Sequence, residues 1–149
     1  MQVLELGCGP GYFSLEVARR LSRGALHLFD LQPEMLISAR RWLEAKAPPN
    51  LSFTQGNGLC LPFRDGAFDV AFLVTVLGEM PEPATCLGEI RRTLRAGGLL
   101  PITEQPGDPD FMPLLKVEVL ANQHGFALEA SYGRGLHYTA NFRKTSASA

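Results

Sequence analysis

The chain has 149 residues, 46% of them apolar and 19% charged, a balance that fits one domain with a buried core and excludes a disordered or fibrous polymer. Fourteen basic against fifteen acidic side chains leave a net charge of −1, so there is no positive field to draw a phosphate backbone or anionic lipid. Nucleic acid and membrane are therefore set aside as default partners.

Val3 to Leu6 is a short apolar run ended by glycines, and Phe13, Val17 and Leu21 then repeat at helical spacing up to Arg23-Gly24. Ala25 to Phe29 is a second apolar run, stopped by Asp30. Pro33 suits a first helical turn, and Met35, Ala39 and Trp42 form a stripe that ends before Pro48-Pro49. Leu51 to Thr54 reads as a weaker third strand. Phe68 to Val74 is the most hydrophobic run of the chain, as expected of a strand covered on both faces near the centre of a sheet.

Leu87, Ile90 and Leu94 mark the next helix, with Gly97-Gly98 as its C-terminal cap before a strand over Leu99 to Thr103. Pro101 lacks a donor inside that strand and predicts a bulge or weak pairing there. A loop over 105–110 leads to the stripe Met112, Leu115, Val119, which ends at His124-Gly125. Phe126 to Tyr132 and Leu136 to Phe142, joined by Gly133-Arg134-Gly135, read as an antiparallel hairpin.

Strands that alternate with helices require right-handed crossovers and hence a parallel sheet with helices on both faces. The expected fold class is α/β: a doubly wound, mostly parallel seven-stranded sheet with a C-terminal antiparallel hairpin. Residues 1–144 form the domain and 145–149 a flexible tail. Cys8, Cys60 and Cys86 are widely spaced with no histidine pair near them, so neither a metal site nor a disulfide framework is expected. That cysteine pattern predicts a reducing, cytoplasmic setting, and with no basic, then apolar leader after Met1 and no run long enough to cross a bilayer, no targeting or anchoring segment is expected.

The most informative stretch is Glu5-Leu6-Gly7-Cys8-Gly9-Pro10-Gly11, between the first strand and the first helix. Glycines at alternate positions let backbone approach a ligand, and the helix that follows starts with unpaired N–H groups. The same glycines also serve a turn that needs positive φ and nothing more. Asp30 ends the second strand, at the carboxyl edge where open parallel sheets bind ligands, and its carboxylate suits a ribose diol. An N-cap on the helix near Pro33 is an equal reading of that residue.

Val3-Leu4-Glu5-Leu6-Gly7-Cys8-Gly9-Pro10-Gly11 resembles the first motif of class I S-adenosylmethionine-dependent methyltransferases. Asp30-Leu31-Gln32-Pro33-Glu34-Met35-Leu36 resembles the ribose-binding segment of that family. Gln55-Gly56-Asn57-Gly58, with Leu61-Pro62-Phe63 and Phe68-Asp69, resembles its adenine loop and fourth strand, and Arg95-Ala96-Gly97-Gly98-Leu99-Leu100 resembles the start of its fifth strand. These four motifs stand in order between Met1 and about Lys144, and within the family they are most similar to the small-molecule branch that includes quinone-biosynthesis enzymes.

The resemblance implies a Rossmann-like fold, S-adenosylmethionine as cofactor, S-adenosylhomocysteine as product and a small-molecule methyl acceptor. It places Gly7, Gly9 and Gly11 around the methionine part, with Cys8 in the same set and Glu5 near the amino end. Asp30 would hold the ribose, Leu31 would pack on adenine, and Asn57, beside Gly58, would reach the exocyclic amine. Leu73 and Val74 would line the side facing the sulfonium. Asn57 replaces a more frequent aspartate but still offers an acceptor oxygen.

A nicotinamide dinucleotide is the rival ligand, and its fingerprint would put a third glycine at Tyr12, where a bulky ring sits instead. Family members also carry helices before the first strand, whereas Met1 stands almost in it. Those helices are therefore absent, supplied by a partner subunit, or upstream of Met1, and a homodimer covering the exposed apolar surface is one expectation. Methyl transfer needs no signature triad; Glu79, Glu104 and His137 are general-base candidates, with none assigned as catalytic. The segment Leu73-Val74-Thr75-Val76 lacks the Asn/Asp-Pro-Pro-aromatic motif of base-amine methylation, and no Pro-Cys pair is present, which disfavours a nucleic-acid acceptor. A non-catalytic cofactor-binding or regulatory subunit is the contrasting reading.

Overall fold

In the computed structural model, which describes residues 1–47 and 49–146, β1 (Gln2–Leu6) is the strand about which the chain order reverses. β2 (Ala25–Asp30) and β3 (Leu51–Gln55) pair in parallel on one side of it, and β4 (Phe68–Val74) and β5 (Leu94–Glu104) on the other. β6 (Phe126–Arg134) and β7 (His137–Lys144) complete a seven-stranded sheet of order β3-β2-β1-β4-β5-β7-β6. β7 lies antiparallel between β5 and β6, so the one reversed strand is interior and β6 takes the edge. The expected Rossmann-like α/β architecture is thus present. Loops leaving β1 and β4 part in opposite directions, which opens a crevice at the carboxyl ends of these strands.

Helices α1 (Ser14–Arg20), α2 (Pro33–Leu43), α3 (Pro83–Thr93) and α4 (Leu114–Gln123) pack on the sheet. One face carries a continuous core in which Leu4, Leu6, Leu73, Ile102, Tyr138 and Phe142 meet Leu87 and Ile90 of α3 and Val117 of α4. The other face carries a smaller core, where Val3, Leu26 and Leu28 meet Ala18 of α1 and Ala39 and Leu43 of α2. Beyond α1 the second face keeps a shallow apolar groove of about 430 Å³ walled by Val3, Val17, Leu21, Val70, Phe72 and Pro101.

The helices sit in a different phase from the one their sequence stripes predict. α2 buries Leu36, Ala39 and Leu43 and leaves Trp42 exposed; α4 buries Val117 and Ala121 and turns Leu115, 71% exposed, and Val119 to solvent. In α1 it is Ser14 and Ala18 that face inward, not Phe13. Each of these helices has apolar residues on two faces, and the inner face of each includes a small residue, Ala18, Ala39 or Ala121, that lets the helix axis approach the sheet closely.

Three boundaries also shift. α3 stops at Thr93, and Gly97-Gly98 lie inside β5, where the pairing jumps from Phe68↔Leu94 to Val70↔Leu99; they do not cap the helix. That jump is the irregularity of the strand, whereas Pro101 keeps register with Asn141 of β7. The hairpin turns on Gly135 and Leu136, since Arg134 already pairs with His137. Of the expected tail, Thr145 is bonded to the Gly125 carbonyl through both its amide, at 3.0 Å, and its hydroxyl, at 2.9 Å, while 147–149 lie outside the described residues.

Candidate cofactor crevice

A crevice of about 490 Å³ opens at the reversal point, and its walls come from the loop after β1, the end of β2, the loop after β3 and the segment after β4. That volume falls in the usual range of small-molecule sites. Gly7, Gly9, Asp30, Leu31, Asn57 and Gly58 line it as expected from the sequence.

The turn after β1 is held by its own amides. Gly7 N and Cys8 N donate to the Phe29 carbonyl at 2.8 and 3.2 Å, Gly9 N to Asp30 Oδ2 at 2.9 Å, and Gly11 N to the Cys8 carbonyl at 3.1 Å. These four donors are therefore spent within the protein, whereas the first amides of α1, which the sequence expects to be unpaired, have no side-chain cap. What the turn offers is room: at Gly9, with φ +51°, an added Cβ would meet nothing within 4 Å, whereas at Gly7 it would stand 2.5 Å from Val76. Gly11 packs against α2 instead of the crevice, with Ala39 Cβ 3.2 Å from where its own Cβ would be.

Asp30 is the anchor of this side. Oδ2 accepts from Gly9 N and Oδ1 from Gln32 N, each at 2.9 Å. The second bond closes a local turn; it is not an N-cap, because Gln32 occupies that position of α2 and no side chain bonds there. A carboxylate has about four acceptor directions, so both oxygens keep one free for a ligand hydroxyl.

Leu31, 61% exposed, presents an apolar side chain to the crevice next to Phe29 and Met35. Asn57 lines the crevice too, but its Oδ1 accepts from Leu59 N at 2.9 Å, which fixes the turn that follows.

Besides Gly11, three residues of the expected set, Leu73, Cys8 and Glu5, stand behind the wall. Leu73 is 1% exposed and points into the larger core, since alternate residues of a strand face opposite sides; its neighbours Val74, Thr75 and Val76 do the lining. Cys8 is buried in the smaller core, where loss of water and the nearby Glu5 and Asp30 push its thiol far up. Cys86, likewise buried, is pushed up to about 12, and Cys60 is exposed. Glu5 is buried and accepts from Ser14 Oγ at 2.6 Å; burial raises its carboxyl to about 7, against the lowering effect of that hydroxyl.

Of the three general-base candidates, Glu79 alone lines the crevice. It ends a 3₁₀ turn, Leu77–Glu79, and burial together with Asp108, Asp110 and Asp30 pushes its carboxyl upward. Glu104 is buried below the loop after β5, and His137 is exposed at the β6–β7 turn. The sequence reading also missed Thr75. Its φ of +54° is costly for a β-branched residue and is stabilised by the bond from its amide to the Thr103 carbonyl at 2.9 Å. The rival-ligand argument from Tyr12 fails on geometry, because the ring is 71% exposed and meets Trp42 edge-on at 6.1 Å.

A family model described as a methyltransferase domain matches residues 3–98. The chain belongs to this family. Among curated methyltransferases, the demethylmenaquinone methyltransferase of Lactococcus lactis is 34% identical over 99 residues, which are 66% of this chain and 39% of that protein. That of Thermus thermophilus is 33% identical over 108 residues, 72% of this chain and 49% of that protein. The chain thus spans less than half the length of these two relatives. A SAM-dependent methyltransferase from Aquifex aeolicus shares the class I fold with a TM-score of 0.89 over 97% of this chain and 82% of that one, at 19% identity. Membership in the methyltransferase family, and not the ring of Tyr12, is what decides against a dinucleotide oxidoreductase. Among the described residues no helix of this chain is long and apolar enough to cross a membrane.

Proposed function

We propose that the crevice binds S-adenosylmethionine and that its methyl group passes to a small-molecule acceptor. The observation that carries this reading is Asp30, fixed by two backbone amides at the lip of the crevice with acceptor directions left for a ribose diol. The open surface at Gly9 suits the methionine part, and the apolar wall of Phe29, Leu31 and Met35 suits a purine face.

When bound, the cofactor would supply a sulfonium methyl group that the acceptor attacks in line, with the thioether of S-adenosylhomocysteine as the leaving group. The chain's own residues supply placement. Asp30 orients the ribose, Leu31 and Met35 exclude water from the base, and the segment Val74 to Val76 forms the wall toward the acceptor. Glu79 is the titratable group on that wall and can take a proton from a weakly acidic acceptor.

Thermal shift and calorimetry with S-adenosylmethionine, S-adenosylhomocysteine and NAD test the reading. Stabilisation by the two adenosyl ligands is expected, and stabilisation by NAD alone would overturn it. The homodimer is also a proposal: the groove between Val17, Val70 and Phe72 is the surface it would cover, and a monomer mass in light scattering ends it.

A further inference from the structure

The segment 105–113, between β5 and α4, is a strap pinned at one point. Met112 alone among these residues is buried, at 4% exposure, and its side chain lies in the larger core. Burial takes its main-chain N–H and C=O out of water, and neither has a helix or sheet partner among the described residues. Two side chains serve them instead. Met112 N donates to Glu104 Oε2 at 3.3 Å, and Tyr138 Oη donates to the Met112 carbonyl at 2.6 Å, both bonds buried. Glu104 and Tyr138 stand directly opposite each other in the β5–β7 register, so the two bonds form one clasp at the end of the sheet. The bond to Met112 N is the single hydrogen bond of the Glu104 side chain, whose Oε1 has no partner. An apolar residue there would avoid the penalty of an unpaired buried oxygen, which leaves the clasp as what the acid contributes.

The strap bears in turn on the crevice wall. It seats so closely on the 3₁₀ turn that a Cβ on Gly78 would collide with the Asp110 carbonyl oxygen. The turn and its flanks supply Val76, Glu79, Met80 and Pro81 to the crevice. This seating is opposed by charge. It brings carboxylate oxygens of Glu79, Asp108 and Asp110 within 4.8 Å of one another, and no ion pair among the described residues involves any of the three. Their repulsion pushes the strap off the turn, and the buried clasp resists it.

We propose that Glu104 and Tyr138 are positioning residues of the crevice: through Met112 they hold the strap against Gly78 and so fix the wall from Val76 to Pro81. That this wall faces the methyl acceptor rests on the proposed function; the clasp and its hold on the turn do not. Glu104, a general-base candidate by sequence, touches no substrate in this arrangement and acts through the main chain.

Amide hydrogen exchange and a carbon NMR titration of the Glu79 carboxyl, both on the ligand-free full chain, test the clasp. Tyr138→Phe removes only the hydroxyl. Exchange should quicken roughly three- to tenfold at 77–80 and 105–112 and stay native in β1 and β2. Glu79 should titrate at lower pH, because the turn regains water and Asp108 and Asp110 move off, while Asp30 stays in place. Glu104→Leu should match Tyr138→Phe, and Glu104→Gln, which keeps an acceptor oxygen for Met112 N, should restore native exchange. Gly78→Ala attacks the seat from the other side and should lower the Glu79 titration with both clasp bonds intact. Exchange that quickens evenly through the chain, equal exchange in the Leu and Gln variants, or native titration of Glu79 in Tyr138→Phe and Gly78→Ala would overturn the proposal. S-adenosylmethionine affinity, governed at Asp30, should change less than about twofold in Tyr138→Phe, and a larger loss would overturn the assignment to the acceptor wall. A native chain that binds no S-adenosylmethionine would overturn the proposed function and leave the clasp standing.

Discussion

Asp30 and Glu79 face one crevice from opposite sides and are held in opposite ways. Two backbone amides at 2.9 Å fix the Asp30 carboxylate before any ligand arrives. Glu79 accepts no hydrogen bond and joins no ion pair among the described residues, and its nearest charges are other carboxylates. The first arrangement is preorganised, so a ligand hydroxyl meets an acceptor already in place at little entropic cost. The second stores repulsion that only an incoming positive charge or a proton relieves. One wall is thus fixed by hydrogen bonds as folded, and the other is not.

The sharpest way to break this contrast is Asp30→Ala. Gly9 N and Gln32 N lose their acceptor together, so stability should fall by about 3–5 kcal/mol and S-adenosylmethionine affinity by about 1.5–3 kcal/mol. Denaturant melts and calorimetry read the two losses, and unchanged affinity would reduce Asp30 to a turn residue.

Glu5 gives the next effect. Its folded carboxyl titrates at about 7 against an ordinary value of 4.5, because it is buried. The folded chain therefore holds this proton more tightly than the unfolded chain, and stability declines as pH rises through that interval. Glu5→Gln removes the decline, so relative to the variant the native chain should lose about 2–3 kcal/mol between pH 4.5 and 8. An equal stability difference at both ends of that range would contradict the assignment.

Leu31→Ala should leave stability within about 0.5 kcal/mol, since the side chain is 61% exposed, yet weaken S-adenosylmethionine by about 1 kcal/mol. Unchanged affinity would remove Leu31 from the base-facing wall. Glu79→Gln is expected to be smallest: relief of repulsion among largely exposed carboxylates should stabilise the chain by less than about 0.5 kcal/mol. A loss of stability in that variant would show that Glu79 has a donor after all.

The Asp30 wall was legible in the sequence because its parts are contiguous: a glycine turn after one strand and an acid at the end of the next fix both residues by local rules. The cluster behind Glu79 was not, because residues 79, 108 and 110 converge only through the close seating of Gly78 on a loop that composition marks merely as a loop. Leu73 and Val74 show a subtler limit. A fully buried strand has apolar residues on both faces, so the sequence could not say which of the two looks into the crevice. The helix phases failed for the same reason at Leu115 and Val119, where an apolar stripe runs along the outside of α4.

The unequal burial of the three cysteines makes the protein simple to label. Cys8 and Cys86 are enclosed and their thiols resist ionisation, whereas Cys60 is exposed and closes the short turn whose first residue is Asn57. A maleimide fluorophore should therefore attach at one position without mutagenesis, a few residues from the crevice, and report by its emission when that turn meets a ligand.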